Sequence, residues 1–200
     1  MWRLNRWKKT QDKLSSRWKR ISDKLSSNTG KNWSKGDVQE RRNISIRLDD
    51  KNMLVTPSGL DYERLTPGDM VKVDIQTLAH EGENKPTSEK ELHAEIYRNR
   101  HDVGAIIHTH SKYACVFAAA KCNMPILPEY RDVFGEELKV GEYALSGSKA
   151  LAKNTAAALG RNFGSIMANH GMIACGKDIE VAFENCSKIE ENGRKYLMER

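Results

Sequence analysis

The stretch that most narrows what this chain can be is Val103-Gly104-Ala105-Ile106-Ile107-His108-Thr109-His110, an apolar run closed by two histidines two positions apart. A short apolar run bounded by turn signals reads as a buried strand. Residues i and i+2 of a strand point to the same side. Two imidazoles on one rigid element can therefore reach one cation, at roughly 2.0–2.1 Å per nitrogen for zinc. The competing reading is a pair of ordinary strand-end histidines. His170, in Met167-Ala168-Asn169-His170-Gly171 just past a second apolar segment, is a third candidate. A tight turn there aims its ring at the sheet edge.

Pro86-Thr87-Ser88-Glu89 opens a helix expected to run to about Asn99. Ser88 is the expected N-cap, with Glu91 three residues on completing a capping box, and Leu92 and Ile96 face the core. Glu89 has two readings. A carboxylate at a helix start is favoured by the macrodipole, and the same carboxylate can project toward a metal as general base. Thr87, Ser88 and the exposed N–H groups of this helix start suit a phosphate. Ser58 and Gly59 after a strand, and Asn43, could add donors. His93, one turn past Glu89, reads as a packing residue before a partner of the site, while His80 and His101 read as solvated.

The remaining chain supplies the fold. Ile44–Leu48, Met53–Thr56 and Met70–Ile75 are expected strands, separated by turns rich in Asp, Asn, Pro and Gly. A helix starts at Ser111 and ends near Asn123. Gly147–Leu159 is an Ala-rich helix stopped by Gly160. Gly164–Asn169 and Ile173–Cys175 are strands, and an amphipathic helix starts near Asp178. Strands and helices mix without strict βαβ alternation. The expected class is α/β, a central, mostly antiparallel sheet flanked by helices.

Charge matters only for where it sits. Residues 1–42 carry 13 Lys/Arg against 4 Asp/Glu, a net +9, and the remainder is −3, so the overall +6 does not argue for specific nucleic-acid binding. The same segment holds all four Trp and no Ala. Leu14, Trp18, Ile21 and Leu25 give it one weak amphipathic helical face. No apolar run approaches the ~20 residues of a membrane span. The four Cys form no C-x-x-C pair, which reads as reduced, packed thiols in a cytoplasmic protein.

Asn43-Ile44-Ser45-Ile46-Arg47, Leu54-Val55-Thr56-Pro57-Ser58-Gly59, Pro86 through His93, Ile106 through His110 and Met167 through Ala174 occur in an order and spacing that resemble the class II aldolase/adducin family. Within it the resemblance is to the bacterial L-fuculose-phosphate aldolase branch, over residues 43–198. It implies a three-layer α/β/α domain across 43–200 and a homotetramer with zinc sites near subunit interfaces. One Zn2+ per subunit would be bound by His108, His110 and His170. Glu89 would be the acid/base that also approaches the metal. Asn43, Ser58, Gly59, Thr87 and Ser88 would surround the substrate phosphate, and Tyr130 would reach a neighbour's site and protonate the aldehyde oxygen. The implied reaction is cleavage of a ketose 1-phosphate to dihydroxyacetone phosphate and an aldehyde through a metal-stabilised enediolate. The family's sugar-phosphate 4-epimerases usually carry Asp where this chain has Glu89, and its dehydratases share the carboxylate. Its adducin-like scaffolds lack the histidines.

Two features depart from the family pattern. Glu40-Arg41-Arg42 stands where a Gly-x-x-Gly loop is usual before Asn43, and the usual N-terminal helices are unrecognisable. Residues 1–42 are therefore expected to be an atypical, out-of-frame or otherwise altered segment. Family members often carry a site-closing tail with an aromatic residue, and with Arg200 as its last residue this sequence is expected to lack it.

Overall fold

The computed structural model describes residues 42–60 and 65–199. The basic segment before them, with its expected amphipathic helix at 14–25, lies outside the described residues.

Strand β1 (Asn43–Arg47) sets the plan of the molecule. Its apolar residues, Ile44 and Ile46, pack into one hydrophobic cluster. Its intervening residues, Asn43, Ser45 and Arg47, turn to the other face, where they hydrogen-bond into a helix. Strand β2 (Asn52–Val55), β3 (Val71–Asp74), β4 (Ala105–Thr109), β7 (Val140–Gly141), β8 (Gly164–Met167) and β9 (Gly171–Gly176) join β1. Among the described residues they form one seven-stranded sheet in the order β3-β2-β1-β4-β9-β8-β7. All pairs are antiparallel except β7 with β8. Strands β5 (Met124–Pro125) and β6 (Glu137–Leu138) make a separate two-residue pair.

The α-helices among the described residues are α1 (Lys90–Asn99), α2 (Lys112–Ala120), α3 (Arg131–Phe134), α4 (Lys149–Leu159) and α5 (Ile179–Met198). Two apolar clusters separate them into layers. On one face Ala105, Ile107, Met172 and Ala174 pack with Phe117 of α2 and Ile179, Cys186 and Ile189 of α5. On the other Ile106, Ile173 and Cys175 pack with Leu92 and Ile96 of α1 and Leu151 and Leu159 of α4. The strict in–out alternation along β4 and β9 produces this division. Burying each Ile or Leu there is worth about 1.5–3 kcal/mol. The expected three-layer α/β/α arrangement is the observed one.

Most expected elements are present, with ends moved by one or two residues. Ser148 caps α4, its hydroxyl accepting from the Leu151 N–H at 3.1 Å, and Asp178 caps α5 in the same way through Val181 at 2.9 Å. The helix after Ser111 ends earlier than expected, at a left-handed Lys121 (φ 53°). The expected capping box at Ser88 does not form. The N-cap is Glu89, no side chain caps it, and Glu91 pairs instead with Arg98 at 3.0 Å. No helix among the described residues is long and apolar enough to cross a membrane.

Candidate metal centre

His108 lies in β4 directly opposite Asn43 of β1, so the two side chains share a face. Its place in the Ile106 row directs it toward the α1 layer. His110 follows one residue beyond the strand. His170 is in the loop of the β8–β9 hairpin, whose register runs Met167 to Gly171. Asn169 takes the left-handed conformation there (φ 54°), and the His170 N–H donates to the Met167 carbonyl at 3.1 Å. Asn tolerates this conformation because its short polar side chain can bond locally.

The three rings converge. Their centroids are 4.7, 4.9 and 5.2 Å apart, and one nitrogen from each lies within 4.8 Å of the others. Gly171 makes room for them. A Cβ at that position would meet the Thr109 carbonyl at 2.5 Å, His110 Cδ2 at 2.7 Å and His108 Cε1 at 3.2 Å.

Glu89 enters from the opposite layer. Its backbone (φ −95°, ψ 17°) sits in the bridge region between helix and strand. This turns the carboxylate away from the helix backbone and into the histidines. Oε2 is 3.1 Å from His108 Nε2, and Oε1 is 3.1 Å from His170 Nε2. Asn43 Nδ2 donates to Oε2 at 2.9 Å and Ser146 Oγ donates to Oε1 at 2.9 Å. Burial opposes ionisation of Glu89. The hydrogen bond from His170, the charge of His108 and the Asn43 amide outweigh burial and hold the carboxyl well below the usual range.

The donor set fits a divalent cation. His108 Nδ1 donates to the Met172 carbonyl at 2.9 Å, which leaves Nε2 as an acceptor in the neutral ring. That acceptor faces a carboxylate oxygen, also an acceptor. Two lone pairs at such a distance call for a cation between them. Burial, partly offset by Glu89, pushes the His108 imidazolium down to about 4, which favours the neutral ring as the partner of such a cation.

The structure thus brings together Glu89, His108, His110, His170 and Asn43. It assembles the other expected phosphate residues less tightly. The Ser58 N–H donates to the Lys85 carbonyl and the Thr87 N–H to the Thr56 carbonyl, which lays the Ser58-Gly59 turn beside Thr87 and Ser88. Those two N–H groups, expected to be open at the helix start and turn, are thereby engaged. Ser58, Gly59 and Ser88 are exposed, while Thr87 is buried. Tyr130 packs against the α2/α5 cluster, on the other side of the sheet from Glu89, with its hydroxyl 3.2 Å from Lys195 Nζ.

Ser146 goes beyond the sequence reading, and His93 takes the second of its two readings, a partner of the site. Ser146 is a lone loop serine, and no spacing marks it. His93 is not a packing residue. Both its ring nitrogens are hydrogen-bonded, to Ser45 Oγ and Asn43 Oδ1, each at 2.6 Å. Its spacing of four from Glu89 was the available signal.

Comparison with known proteins agrees with this geometry. Residues 41–197 match the family model described as Class II Aldolase and Adducin N-terminal domain. A 5-methylthioribulose-1-phosphate/5-deoxyribulose-1-phosphate aldolase from Rhodospirillum rubrum is 34% identical over 156 residues, 77% of this chain and 69% of its own length. An L-fuculose phosphate aldolase from Methanococcus maripaludis is 34% identical over 158 residues, 78% of this chain and 84% of its own. Among solved structures, an L-fuculose 1-phosphate aldolase superposes with a TM-score of 0.81 at 31% identity, covering 92% of this chain and 84% of that one.

Proposed function

The chain belongs to the class II aldolase and adducin family, and from that premise we propose that it is a zinc-dependent aldolase cleaving a ketose 1-phosphate to dihydroxyacetone phosphate and an aldehyde. The observation that carries this reading is the Glu89 carboxylate held 3.1 Å from both His108 and His170, with His110 closing the group. Imidazoles with a carboxylate suit Zn2+ among the common divalent ions. His108, His110 and His170 would hold it, with the Glu89 carboxylate beside them. Bound there, the ion supplies Lewis-acid stabilisation of the negative charge that develops on the substrate oxygens.

The remaining work belongs to the chain. Cleavage breaks the carbon–carbon bond beyond the ketose hydroxyl and leaves an electron pair on the carbon next to the carbonyl. In cleavage the resting Glu89 carboxylate first takes up a proton, equal in number to the one lost by the hydroxyl that becomes the aldehyde, and passes it to that carbon; in the reverse direction the carboxylate removes it. Ser146 and Asn43 fix its two oxygens, so that proton transfer needs little reorientation. The departing aldehyde's hydroxyl proton is exchanged with Tyr130 supplied by a neighbouring copy in a tetramer. Ser58, Gly59, Thr87, Ser88 and the second N–H of the Asn43 amide hold the phosphate, whose binding energy comes from far outside the reacting bond.

The test is product analysis with the zinc-loaded protein. L-Fuculose 1-phosphate, 5-deoxyribulose 1-phosphate and 5-methylthioribulose 1-phosphate, the substrates in the relatives' names, form the panel. Release of dihydroxyacetone phosphate from at least one of them is expected. An epimerised or dehydrated product without it would replace the reading with one of the family's other reactions. No turnover of any of them by a metal-loaded protein would favour a scaffold.

A further inference from the structure

Behind the carboxylate runs a continuous buried chain of polar side chains. Tyr97 OH lies 2.9 Å from Ser45 Oγ, and Ser45 Oγ lies 2.6 Å from His93 Nδ1. His93 Nε2 lies 2.6 Å from Asn43 Oδ1, and Asn43 Nδ2 lies 2.9 Å from Glu89 Oε2. Tyr97, Ser45 and His93 are fully inaccessible, and Asn43 and Glu89 are 5% and 3% exposed.

The chain has one direction. An ionised carboxylate only accepts, so Asn43 presents its amide NH2 to Glu89 and its carbonyl oxygen to His93. That oxygen requires an N–H on His93 Nε2. A neutral ring then has a bare Nδ1, which requires the Ser45 hydroxyl to donate. The Ser45 oxygen in turn accepts from Tyr97. Burial raises the Tyr97 phenol and, together with the nearby His108, lowers the His93 imidazolium to about 3, which agrees with both being neutral. The far end is anchored by Arg47, which donates to the Tyr97 carbonyl at 2.7 Å and lies 4.6 Å from the centre of its ring.

The spacing that builds this chain is simple. Two residues along an antiparallel strand advance about 6.8 Å. Four residues along a helix advance about 6.0 Å. Asn43, Ser45 and Arg47 therefore keep step with Glu89, His93 and Tyr97. The two rows form a polar seam between β1 and α1, and the seam ends on the carboxylate.

We propose that Ser45, His93 and Tyr97 are positioning residues for Glu89: their one-way hydrogen-bond chain holds the Asn43 amide nitrogen toward the carboxylate and so fixes the rotation that sets one oxygen against His108 and the other against His170. The role in turnover rests on Glu89 acting as the acid/base described above. The chain itself does not. Reversing any link leaves two donors or two acceptors facing each other in the interior, a costly arrangement.

Three measurements test it. Nitrogen NMR of the metal-free wild type reads the His93 ring directly, and the expected signal is the neutral Nε2–H tautomer. Zn2+ titration of wild type, Ser45→Ala and Tyr97→Phe reads the carboxylate's placement without turnover. Affinity is expected to fall by about tenfold in Ser45→Ala and less in Tyr97→Phe. Kinetics on the turned-over ketose 1-phosphate should give Ser45→Ala a kcat lower by about tenfold with KM within about twofold, because phosphate contacts remain. A His93 Nδ1–H tautomer overturns the proposal whatever the variants do. So does a Ser45→Ala protein with wild-type zinc affinity and wild-type kcat. The expected tautomer with weakened zinc binding, in a protein that cleaves no ketose phosphate, sustains the seam and removes the aldolase reading alone.

Discussion

Glu89 reaches His108 with one carboxylate oxygen and His170 with the other, 3.1 Å in each case. One side chain from a helix start thereby spans the end of a central strand and the loop of a hairpin. The three elements come from distant parts of the chain, and only the assembled sheet brings them into register.

Removing the charge of Glu89 while keeping its shape should separate chemistry from assembly. Glu89→Gln is expected to lower kcat by about 10²–10⁴. Elemental analysis should still find metal, since the three imidazoles are untouched. Steady-state rates on the same preparation complete the comparison.

Ser146 holds the Oε1 side of the same carboxylate. A hydrogen bond to a charged group contributes about 1.5–3 kcal/mol. Ser146→Ala should therefore reduce kcat by about tenfold or somewhat more, yet less than Glu89→Gln. A rate equal to wild type would mean that Ser146 does not hold the reactive conformation.

His170→Ala should lower bound zinc from about one per chain to a small fraction, measured after supply of excess zinc and desalting. His108→Ala and His110→Ala should do the same. Full retention in any one of them removes that residue from the ligand set.

Gly171→Ala tests the packing behind the three histidines. The added methyl meets the Thr109 carbonyl at 2.5 Å and His110 Cδ2 at 2.7 Å. Neither backbone nor ring can yield without moving a histidine of the cluster. Overpacking of this kind costs about 1–3 kcal/mol. Denaturant unfolding should register that loss, and zinc content should fall with it.

Arg100 ties the far end of the fold. It donates to both oxygens of Asp102 at 2.8 Å and to the carbonyls of Gly160 and Asn162 at 2.7 and 2.9 Å. Arg100→Met should destabilise the protein by on the order of 2 kcal/mol through carbonyls left without donors. The hydrogen bond from Arg100, against the opposing effect of burial, holds the Asp102 carboxyl below its ordinary value. A depressed carboxylate stabilises the fold above its unfolded pKa near 3.9 and loses that contribution as pH falls through the lower folded value. The stability gap between wild type and variant should therefore be widest above about pH 4 and narrow below it.

Periodicity made much of this legible. The alternation of β4 and the interval of two between His108 and His110 follow from the strand repeat, and Asn169 with Gly171 announced the turn that aims His170. The class of sheet followed from the order of elements. The two-residue strands β5, β6 and β7 carry too few residues for any period to register. The capping box at Ser88 misled because Glu91 found Arg98, one of many contacts that depend on what lies across the helix. Ser146 has no local signature, since its partner is Glu89 in a different part of the chain. His93 carried two readings, packing residue and partner of Glu89, because a buried histidine and a hydrogen-bonded one have the same helical spacing.

The polar seam between β1 and α1 also says something about heredity. Hydrogen-bonded partners buried together can often be exchanged for apolar pairs of the same shape with little loss of stability, or with a gain. Breeding this protein for heat tolerance alone would therefore reward apolar replacements at Ser45, His93 and Tyr97, positions closed to solvent. Such a lineage would keep its histidines and its fold while the Glu89 carboxylate drifted. Among descendants of this chain, those three interior positions are where a working enzyme and a hardened relic would first part company.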